Sequence, residues 1–582
     1  MREVNRREFL AKGGAIGATI GAAAVGPETA SPVTAASSSI SSDDGEEFET
    51  FGQPGSPSRE AYRALAEAER AHQLRMRERQ QQQGNATGNS SSGSGLSGGA
   101  SPNFSRTVNA VEDLGCDPNG GSPIDDALSS VSDGTLVEFP AGNYALDGQP
   151  QITGSTVGIA GVGYENASGP PEPGSGVATI TANSEASRIN LDAESGLIAN
   201  FVLDMTSSGT GISIVVGSSG FATARDIRVV GVQDNTGSQA NEETNHPLCA
   251  LMAESGATAR AERVASSGSG VGGSKNKGGV PVFWVGDRND GTAQLVDCQA
   301  QGAADNGLYG SRTPGDVQVV GGTFVNNAVD QLRYCGEGSF ADGVTMGVDI
   351  DSYDKSGFNE EIATMALKVE QPSHISKPGG AVLRNAKITA VSANKIGAVI
   401  NVRGHGGALK LDNCEIESGL DVPFVDAAEP GSSYDPESPP PHNITITNSL
   451  FKGSGGGEIV RVSGRPQSTV TNTCFQVSGA SESSLSGITV GEGVGFGEQC
   501  QAGLSNPGKV GSGNISALGN VSVNASANGS ADAVGTQTPQ RNENNWIGTI
   551  AAGVMQMIVI VLLFLSALAV LFLAVFKKLL DE

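Results

Sequence analysis

The segment LKLDNCEIESG, at residues 409–419, runs as an alternating apolar strand up to Asp412-Asn413 and resumes after this pair with Cys414 and Ile416. Six other segments share this order: an alternating strand, then Asn, Asp or Gly, then a small or apolar residue, then an apolar residue two positions later. They are TARDIRVVG (223–231), QLVDCQAQG (294–302), VQVVGGTFVNN (317–327), AVLRNAKITAV (381–391), ITITNSLFKGSG (444–455) and STVTNTCFQVSG (468–479). Alternation with a period of two predicts strands with one buried face.

The polar position of this pattern returns at intervals typical of a solenoid. It is occupied by Asp226, Asp297, Gly321, Asn385, Asn413, Asn448 and Asn472. Weaker copies near Glu262 and Gly343 bring the spacing to one unit per roughly 22–42 residues. Asn, Asp and Gly tolerate the left-handed backbone that a sharp bend requires. We therefore expect these residues to lie in one column, where stacked Asn side chains can form a hydrogen-bonded ladder.

The repeat predicts an all-β fold, a right-handed parallel β-helix over residues 106–502. The competing fold is an antiparallel β-sandwich, which needs hairpin signals every 8–12 residues or so. The repeat is two to four times longer than that, which favours coils of three short strands. Apolar residues that follow the bend are expected to stack inside the coils: Phe324, Ile388, Ile416, Phe451 and Phe475.

The chain has seven cysteines and no CxxC pair, which argues against a metal cluster. Cys298 and Cys414 share one register and are predicted to point inward as packed free thiols. Cys474 lies one place later in the pattern and is predicted to face outward. A disulfide bond between Cys474 and Cys500 is an open alternative to free thiols there.

The start of the predicted solenoid has a pattern of its own. The segment 108–146 predicts a short helix at Ile124–Val131, followed by a strand that leads into FPAGNY (139–144). Together with DLGCD (113–117) and PIDDAL (123–128), this segment resembles the N-terminal region of the pectate lyase-like superfamily. The resemblance covers roughly residues 106–500 and implies the β-helix fold. It leaves activity open, because that superfamily includes lyases, glycoside hydrolases, epimerases, phage tailspikes and adhesins.

Acidic and basic residues recur about one coil apart in the middle of the chain. Asp305 and Asp330 are 25 residues apart, so stacking is expected to bring them together, with Arg333 and Tyr334 nearby. Paired carboxylates beside an arginine can hold Ca²⁺ or an acidic sugar. We therefore predict Asp305, Asp330, Arg333 and Tyr334 as catalytic residues, with Asp305 and Asp330 as calcium ligands. The alternative is a pair of Asp-capped turns with an ion-paired arginine.

Two other features bear on carbohydrate chemistry. GHG (404–406) is similar to the Gly-His-Gly of polygalacturonase-type hydrolases, but the preceding coil has Arg384-Asn385 where those enzymes have aspartates. Hydrolysis needs two or more carboxylates around one bond, so the alternative is a glycine-flanked surface histidine. Phe283 and Trp284 are expected to provide a platform for sugar rings.

The N-terminus, residues 1–30, is typical of an export signal. Arg6-Arg7 precedes a Gly/Ala-rich apolar run at residues 13–25, and this arrangement resembles a twin-arginine signal peptide. Such signals carry folded proteins across a membrane. The sequence therefore predicts an exported protein.

The C-terminus predicts a membrane anchor. Residues 547–576 contain no charge, and at about 1.5 Å per residue such a helix exceeds the hydrocarbon core of roughly 30 Å. Trp546 lies at one edge and Lys577-Lys578 at the other, and positive residues favour the inner side. We expect a transmembrane helix at 546–577 and a cytoplasmic tip at 578–582, with the preceding residues outside the cell.

Low-complexity segments flank the predicted solenoid. Residues 31–105 are predicted to be a disordered or helical segment, rich in Ser, Glu, Gln and Gly. Residues 503–545 form a Ser/Asn-rich linker with four clustered N-glycosylation sequons. These sequons are at Asn514, Asn520, Asn524 and Asn528. Their position predicts a glycosylated stalk.

The formal net charge is −26, from 62 acidic and 36 basic residues. This balance argues against nucleic-acid binding, which depends on Lys and Arg. Acidity with few lysines is typical of extreme halophiles, whose proteins stay soluble at salt concentrations that screen charges within about 3 Å. The alternative is an ordinary acidic secreted protein.

These features lead to two functional expectations. The first is a membrane-anchored protein at the cell surface or virion envelope of a halophilic archaeon or its virus, which binds surface glycans or partners or builds the envelope. The second is a surface-tethered polysaccharide lyase or glycoside hydrolase. The superfamily resemblance also leaves open a homotrimer.

Overall fold

The computed structural model describes part of the chain. The described residues are 102–500, except for 165–168, 175, 185, 208, 232–246, 268–279, 350, 352–363, 373–374, 376, 394, 432–437 and 456. The chain divides into two units, Met1–Gly513 and Asn514–Glu582, and every described residue belongs to the first. In these described ranges, no helix is long and apolar enough to cross a membrane.

Several predictions concern residues outside the described ranges and stay predictions. They are the signal at 1–30, nearly all of the segment 31–105, the stalk at 503–545 with its sequons at Asn514, Asn520, Asn524 and Asn528, the membrane helix at 546–577 and the tip at 578–582.

The described chain is nearly all β, and its strands form three faces that we name A, B and C. Face A contains β1 (Arg106–Asn109), β3 (Thr135–Phe139), β12 (Thr292–Val296), β15 (Asp316–Val320), β18 (Phe340–Asp342), β21 (Gly380–Arg384), β24 (Ala408–Asp412), β27 (Ile444–Thr447), β30 (Thr469–Thr471) and β33 (Thr489–Val490). Face B contains β2 (Asn119–Pro123), β4 (Gly142–Leu146), β6 (Ala178–Ala182), β13 (Gln299–Gln301), β16 (Thr323–Val325), β19 (Thr345–Asp349), β22 (Lys387–Ser392), β25 (Glu415–Ser418), β28 (Leu450–Gly453), β31 (Cys474–Val477) and β34 (Gly495–Phe496).

Face C carries the candidate site. It contains β9 (Cys249–Ala253), β11 (Phe283–Trp284), β14 (Leu308–Gly310), β17 (Asp330–Tyr334), β20 (Met365–Val369), β23 (Ile400–Val402), β26 (Val425–Ala427), β29 (Val460–Val462) and β32 (Leu485–Ser486). Four longer strands continue around the corners between faces: β5 (Gln151–Gly161), β7 (Ser187–Met205), β8 (Ile212–Gly231) and β10 (Thr258–Ser267).

The chain visits faces C, A and B in turn and then returns to C one coil further along. Each strand pairs in parallel with the strands of the coils before and after it, as β17 does with β14 and β20. The structure is thus a long parallel solenoid, which is compatible with the predicted β-helix. A sandwich would require antiparallel pairs.

The corner between faces A and B is the predicted column of bends. All seven predicted residues have a positive φ: Asp226 (53°), Asp297 (49°), Gly321 (65°), Asn385 (52°), Asn413 (56°), Asn448 (51°) and Asn472 (47°). Gly343 (φ 68°) also occupies the column, whereas the copy expected near Glu262 is centred on Arg263 (φ 50°).

Side-chain hydrogen bonds connect these bends from coil to coil. Asn413 Nδ2 donates to Asn385 Oδ1 at 2.8 Å, which is one rung of the predicted ladder. Asn448 Nδ2 instead donates to Asp412 Oδ1 at 2.9 Å. The column therefore mixes Asn–Asn and Asn–Asp bonds, because Asp precedes the bend in some coils.

The interior follows the predicted register after the bend. The stacked residues are Phe324, Met346, Ile388, Ile416, Phe451 and Phe475, and all of them are fully buried. The rings of Phe451 and Phe475 stack with centroids 4.9 Å apart. Full burial of each such side chain contributes roughly 1.5–3 kcal/mol, so the stack is a main source of stability.

The first coil and the last coil each have a distinct feature. Helix α1 (Asp125–Ser129) lies within the predicted Ile124–Val131 helix, with two acidic residues in its first turn, where the helix dipole favours negative charge. At the other end, Cys474 and Cys500 form the disulfide bond that the sequence left open. Cys298 and Cys414 are buried free thiols, as predicted.

Candidate functional site

A column of polar and aromatic residues runs along the outer side of face C. Parallel pairing places five residues in register: Trp284, Tyr309, Arg333, Lys368 and Asn401. Side chains alternate between the two sides of a strand, and neighbouring strands are about 4.8 Å apart. Successive coils therefore present two aromatic rings, two cations and an amide along a line of roughly 19 Å.

Arg333 is at the centre of this column. Its guanidinium carbon lies 4.2 Å from the centroid of the Tyr309 ring, a distance at which cation–π attraction is effective. Arg333 Nη2 also pairs with Glu370 Oε1, and Lys368 Nζ lies 3.3 Å from Glu370 Oε2. Stacking and ion pairing together hold the guanidinium in place.

Glu370 stays ionised because of these two cations. Burial by itself raises the pKa of the Glu370 carboxyl, but the charges of Arg333 and Lys368, together with the Arg333 hydrogen bond, lower it to about 2. The charge of His405 acts in the same direction. Glu370 is therefore an anion throughout the neutral range.

Asp330 has the opposite electrostatic character. Its side chain is fully buried, and neither carboxylate oxygen has a hydrogen-bond partner among the described residues. Burial raises the pKa of Asp330 to about 6, although the charges of Lys368 and Arg333 favour ionisation. Buried polar atoms in proteins are nearly always hydrogen-bonded, so this carboxyl group is unusual.

Asp305 lies in the preceding coil. It directly precedes Asn306, the residue that lies opposite Asp330. Asn306 Oδ1 accepts the backbone N–H of Asp330 at 3.2 Å, and Asn306 Nδ2 donates to Asp305 Oδ1. Burial raises the pKa of Asp305 to about 6, and the charge of Arg333 opposes this effect. Stacking therefore places Asp305, Asp330 and Arg333 in one electrostatic environment.

Tyr334 points in the other direction. It is fully buried, and its hydroxyl donates to the Val382 carbonyl at 2.8 Å. Tyr334 follows Arg333 directly, and consecutive strand residues project to opposite sides. The same rule separates the two residues of the expected sugar platform, because Trp284 faces outward whereas Phe283 lies in the core.

A second outward row lies two residues further along the strands. Arg403 follows β23 as Glu370 follows β20, since Val369 pairs with Val402. Arg403 Nε and the neighbouring Asn401 Oδ1 are buried atoms that have no hydrogen-bond partner within the part of the chain that the structure describes. His405 is nearly fully buried, so the expectation of a surface histidine is wrong, whereas its hydrolytic role stays a prediction.

Calcium binding stays a prediction. No three His, Cys, Asp or Glu side chains of the described residues come together in a way that could hold a metal ion. Ca²⁺ usually takes six to eight or so oxygen ligands, while the charges of Arg333 and Lys368 already act on Asp305 and Asp330. These cations would compete with a bound metal ion.

The sequence did not single out Lys368, Glu370, Asn401 or Arg403. Lys368 and Glu370 are two positions apart in LKVEQ (367–371), a spacing that places both on one side of a strand. This spacing is visible in the sequence, but it does not show which coil position the two residues occupy. The coils differ in length: the step from Tyr309 to Arg333 is 24 residues, and the step from Arg333 to Lys368 is 35.

Comparisons with known proteins leave the family open. No family model and no curated protein matches the sequence. Two similar solved structures are "Geobacillus virus E2 - ORF18" (13% identity, TM-score 0.30, 64% of this chain and 62% of that chain) and the "Agl-KA catalytic domain" (13% identity, TM-score 0.33, 70% of each chain). The chain thus spans about 62% of the length of the first. At this level, the likeness assigns neither a family nor a function.

Proposed function

We propose that this protein binds carbohydrate at a cell surface or virion envelope, through the outer side of face C. The observation that carries the proposal is the fully buried Asp330, whose two carboxylate oxygens have no hydrogen-bond partner among the described residues. A bound ligand can supply the missing donors. Leaving such a group unsatisfied costs roughly 1–3 kcal/mol.

The chemistry of the other unsatisfied atoms favours a polyhydroxylated ligand. Asp330 and Asn401 offer acceptors, whereas the Nε atoms of Arg333 and Arg403 offer donors. A hydroxyl group both donates and accepts, so a sugar can serve all four residues. Tyr309, one coil away, has the guanidinium groups of Arg333 and Arg312 over its ring at 4.2 and 5.5 Å, and these cation–π contacts hold the donors in position.

The proposed setting combines the fold with the sequence signals. We place the described solenoid in the pectate lyase-like superfamily, as a right-handed β-helix exported by a twin-arginine signal. The helix at 546–577 anchors it to the membrane through a glycosylated stalk, and the acidic composition suits a halophilic archaeon or its virus. A homotrimer is compatible with this arrangement.

The test is glycan binding by the full-length protein in detergent at high salt, measured calorimetrically against a panel of neutral and acidic oligosaccharides. Tyr309→Ala should weaken binding about fivefold, since it removes a cation–π contact of about 1 kcal/mol that holds Arg333 in the site. The matched control is Phe340→Ala, because Phe340 also lies beneath an arginine, Arg384, at 4.9 Å, but on face A. Equal effects of both variants, or no binding to any glycan, would exclude this site.

A second candidate function is glycoside hydrolysis or polysaccharide lysis at the same residues. It is favoured by the pKa values, which are about 6 for Asp305 and Asp330 and about 2 for Glu370. Carboxyl groups with separated pKa values are the acid and base pairs of many active sites. Reducing ends or unsaturated products released by the wild type, and lost in Asp330→Asn, would support catalysis. Binding without turnover would leave the first candidate.

A further inference from the structure

Arg188 lies on face C, several coils before the candidate site, and has an unusual environment. Its Nε atom is buried and has no hydrogen-bond partner in the described part of the chain. Burial lowers the pKa of Arg188, and no charged group of the described residues opposes this effect. In a chain with 62 acidic and 36 basic residues, a half-buried arginine that has no carboxylate partner within the described ranges is unexpected, because buried charges are normally paired.

Ser213 is the residue that faces Arg188 in the next coil. The two are in register, on β7 and β8. Ile189 and Ile214, which follow them, are fully buried in the core, so Arg188 and Ser213 project to the outer side. Ser213 is only 1% exposed, and its hydroxyl also lacks a hydrogen-bond partner within the described ranges. A half-buried cation and a buried hydroxyl are therefore adjacent, and each has a buried atom with no hydrogen-bond partner among the described residues.

We propose that Arg188 and Ser213 form an oxyanion-binding site. A carboxylate, sulfate or phosphate group offers several hydrogen-bond acceptors and the negative charge that can pair with Arg188. Arginine is the residue best suited to such planar or tetrahedral anions. The anion can be a free ion or an acidic substituent of a larger ligand.

This site is separate from the one around Asp330. The coils of β8, β9, β11 and β14 lie between β7 and β17 on face C, so the two sites are five coils, roughly 24 Å, apart. The proposal does not depend on the proposed function. Sulfate binding without glycan binding and glycan binding without sulfate binding are therefore distinct outcomes.

The experiment titrates the full-length protein with inorganic sulfate at constant chloride and follows the melting temperature and the heat of binding. Wild-type protein should bind sulfate, and Arg188→Gln should weaken binding at least tenfold. Ser213→Ala should weaken it less, because it removes one neutral donor. The matched control is Arg228→Gln, since Arg228 already pairs with Glu172, and it should bind like the wild type.

Two further arms keep the outcome decisive. Arg188→Lys retains the positive charge, so it should keep part of the sulfate affinity. This variant replaces Arg188→Gln in the comparison if Arg188→Gln folds poorly. A sulfated oligosaccharide that binds more tightly than inorganic sulfate would identify a substituent as the source, and equal affinity would identify the free ion. Equal sulfate responses of the wild type, Arg188→Gln and Arg188→Lys would overturn the proposal.

Discussion

Replacing Asp330 by asparagine should stabilise this protein at neutral pH, although it removes a charged residue from the candidate site. Burial raises the pKa of Asp330 from the ordinary 3.8 to about 6. The folded state therefore holds the proton more tightly than the unfolded state, and stability falls as pH rises from about 4 to above 6. The difference between 3.8 and about 6 corresponds to about 3 kcal/mol. Asparagine is uncharged at every pH and avoids this loss.

The assay is urea unfolding of the full-length wild type and Asp330→Asn at a series of pH values and fixed salt. Below about pH 4 the two proteins should have similar free energies of unfolding, and above about pH 7 the variant should be more stable by about 3 kcal/mol. Asp305 is present in both proteins, so its own titration largely cancels. A variant that is less stable at about pH 8, or a difference that does not vary with pH, would refute the reasoning.

Glu370→Gln gives the comparison of opposite sign. The pKa of Glu370 is lowered from 4.5 to about 2, so its ionised form stabilises the folded state above about pH 4.5, and this contribution is lost as pH falls toward 2. Glu370→Gln should thus lose about 3 kcal/mol at neutral pH. Two neighbouring carboxylates with opposite effects would show that the environment of each group, and not the net charge of the protein, decides the result.

Three further predictions concern the solenoid itself. Asn413→Ala should lower the free energy of unfolding by about 2 kcal/mol, because alanine strains the left-handed backbone and loses a side-chain hydrogen bond. Asn413→Gly should lose only the hydrogen bond. Equal losses for the two variants in urea unfolding would contradict this account. Phe451→Ala should cost about 3–5 kcal/mol because the ring is fully buried, and a loss below about 1 kcal/mol would mean that the stack rearranges. The disulfide bond between Cys474 and Cys500 closes a loop of 26 residues and should contribute about 3.5 kcal/mol, so a reducing agent should lower the melting temperature of the wild type but not of Cys474→Ser/Cys500→Ser.

The bends and the core were predictable because few residue types satisfy their physical requirements. A positive φ at a corner restricts the position to Gly, Asn and Asp in most coils, so the column can be found in the sequence. Arg263 escapes this rule because its guanidinium makes two hydrogen bonds to Asp226, at 2.6 and 2.8 Å. Those bonds form only after the coils stack, so a search for local bend residues does not find them.

The candidate site was predictable where coils keep a constant length. Asp305 and Asp330 were found together because one short coil separates them. The next step, from Arg333 to Lys368, is longer, and the sequence does not say where the extra residues lie within the coil. Tyr334 was grouped with Arg333 from proximity in the sequence, whereas strand geometry sends adjacent side chains to opposite sides. Applying that rule would have separated them.

The two sites on face C share one physical argument. Elsewhere in this solenoid the corner side chains bond from coil to coil, as Asn413 does to Asn385, whereas buried atoms of Asp330 and of the half-buried Arg188 have no hydrogen-bond partner among the described residues. Proteins retain such destabilising groups where function requires them. If this is the reason here, Asp330→Asn should gain stability and lose glycan affinity in the same protein. A variant that is more stable at neutral pH and binds sugars as well as the wild type would separate the two effects, and the unsatisfied carboxylate would then have no part in recognition.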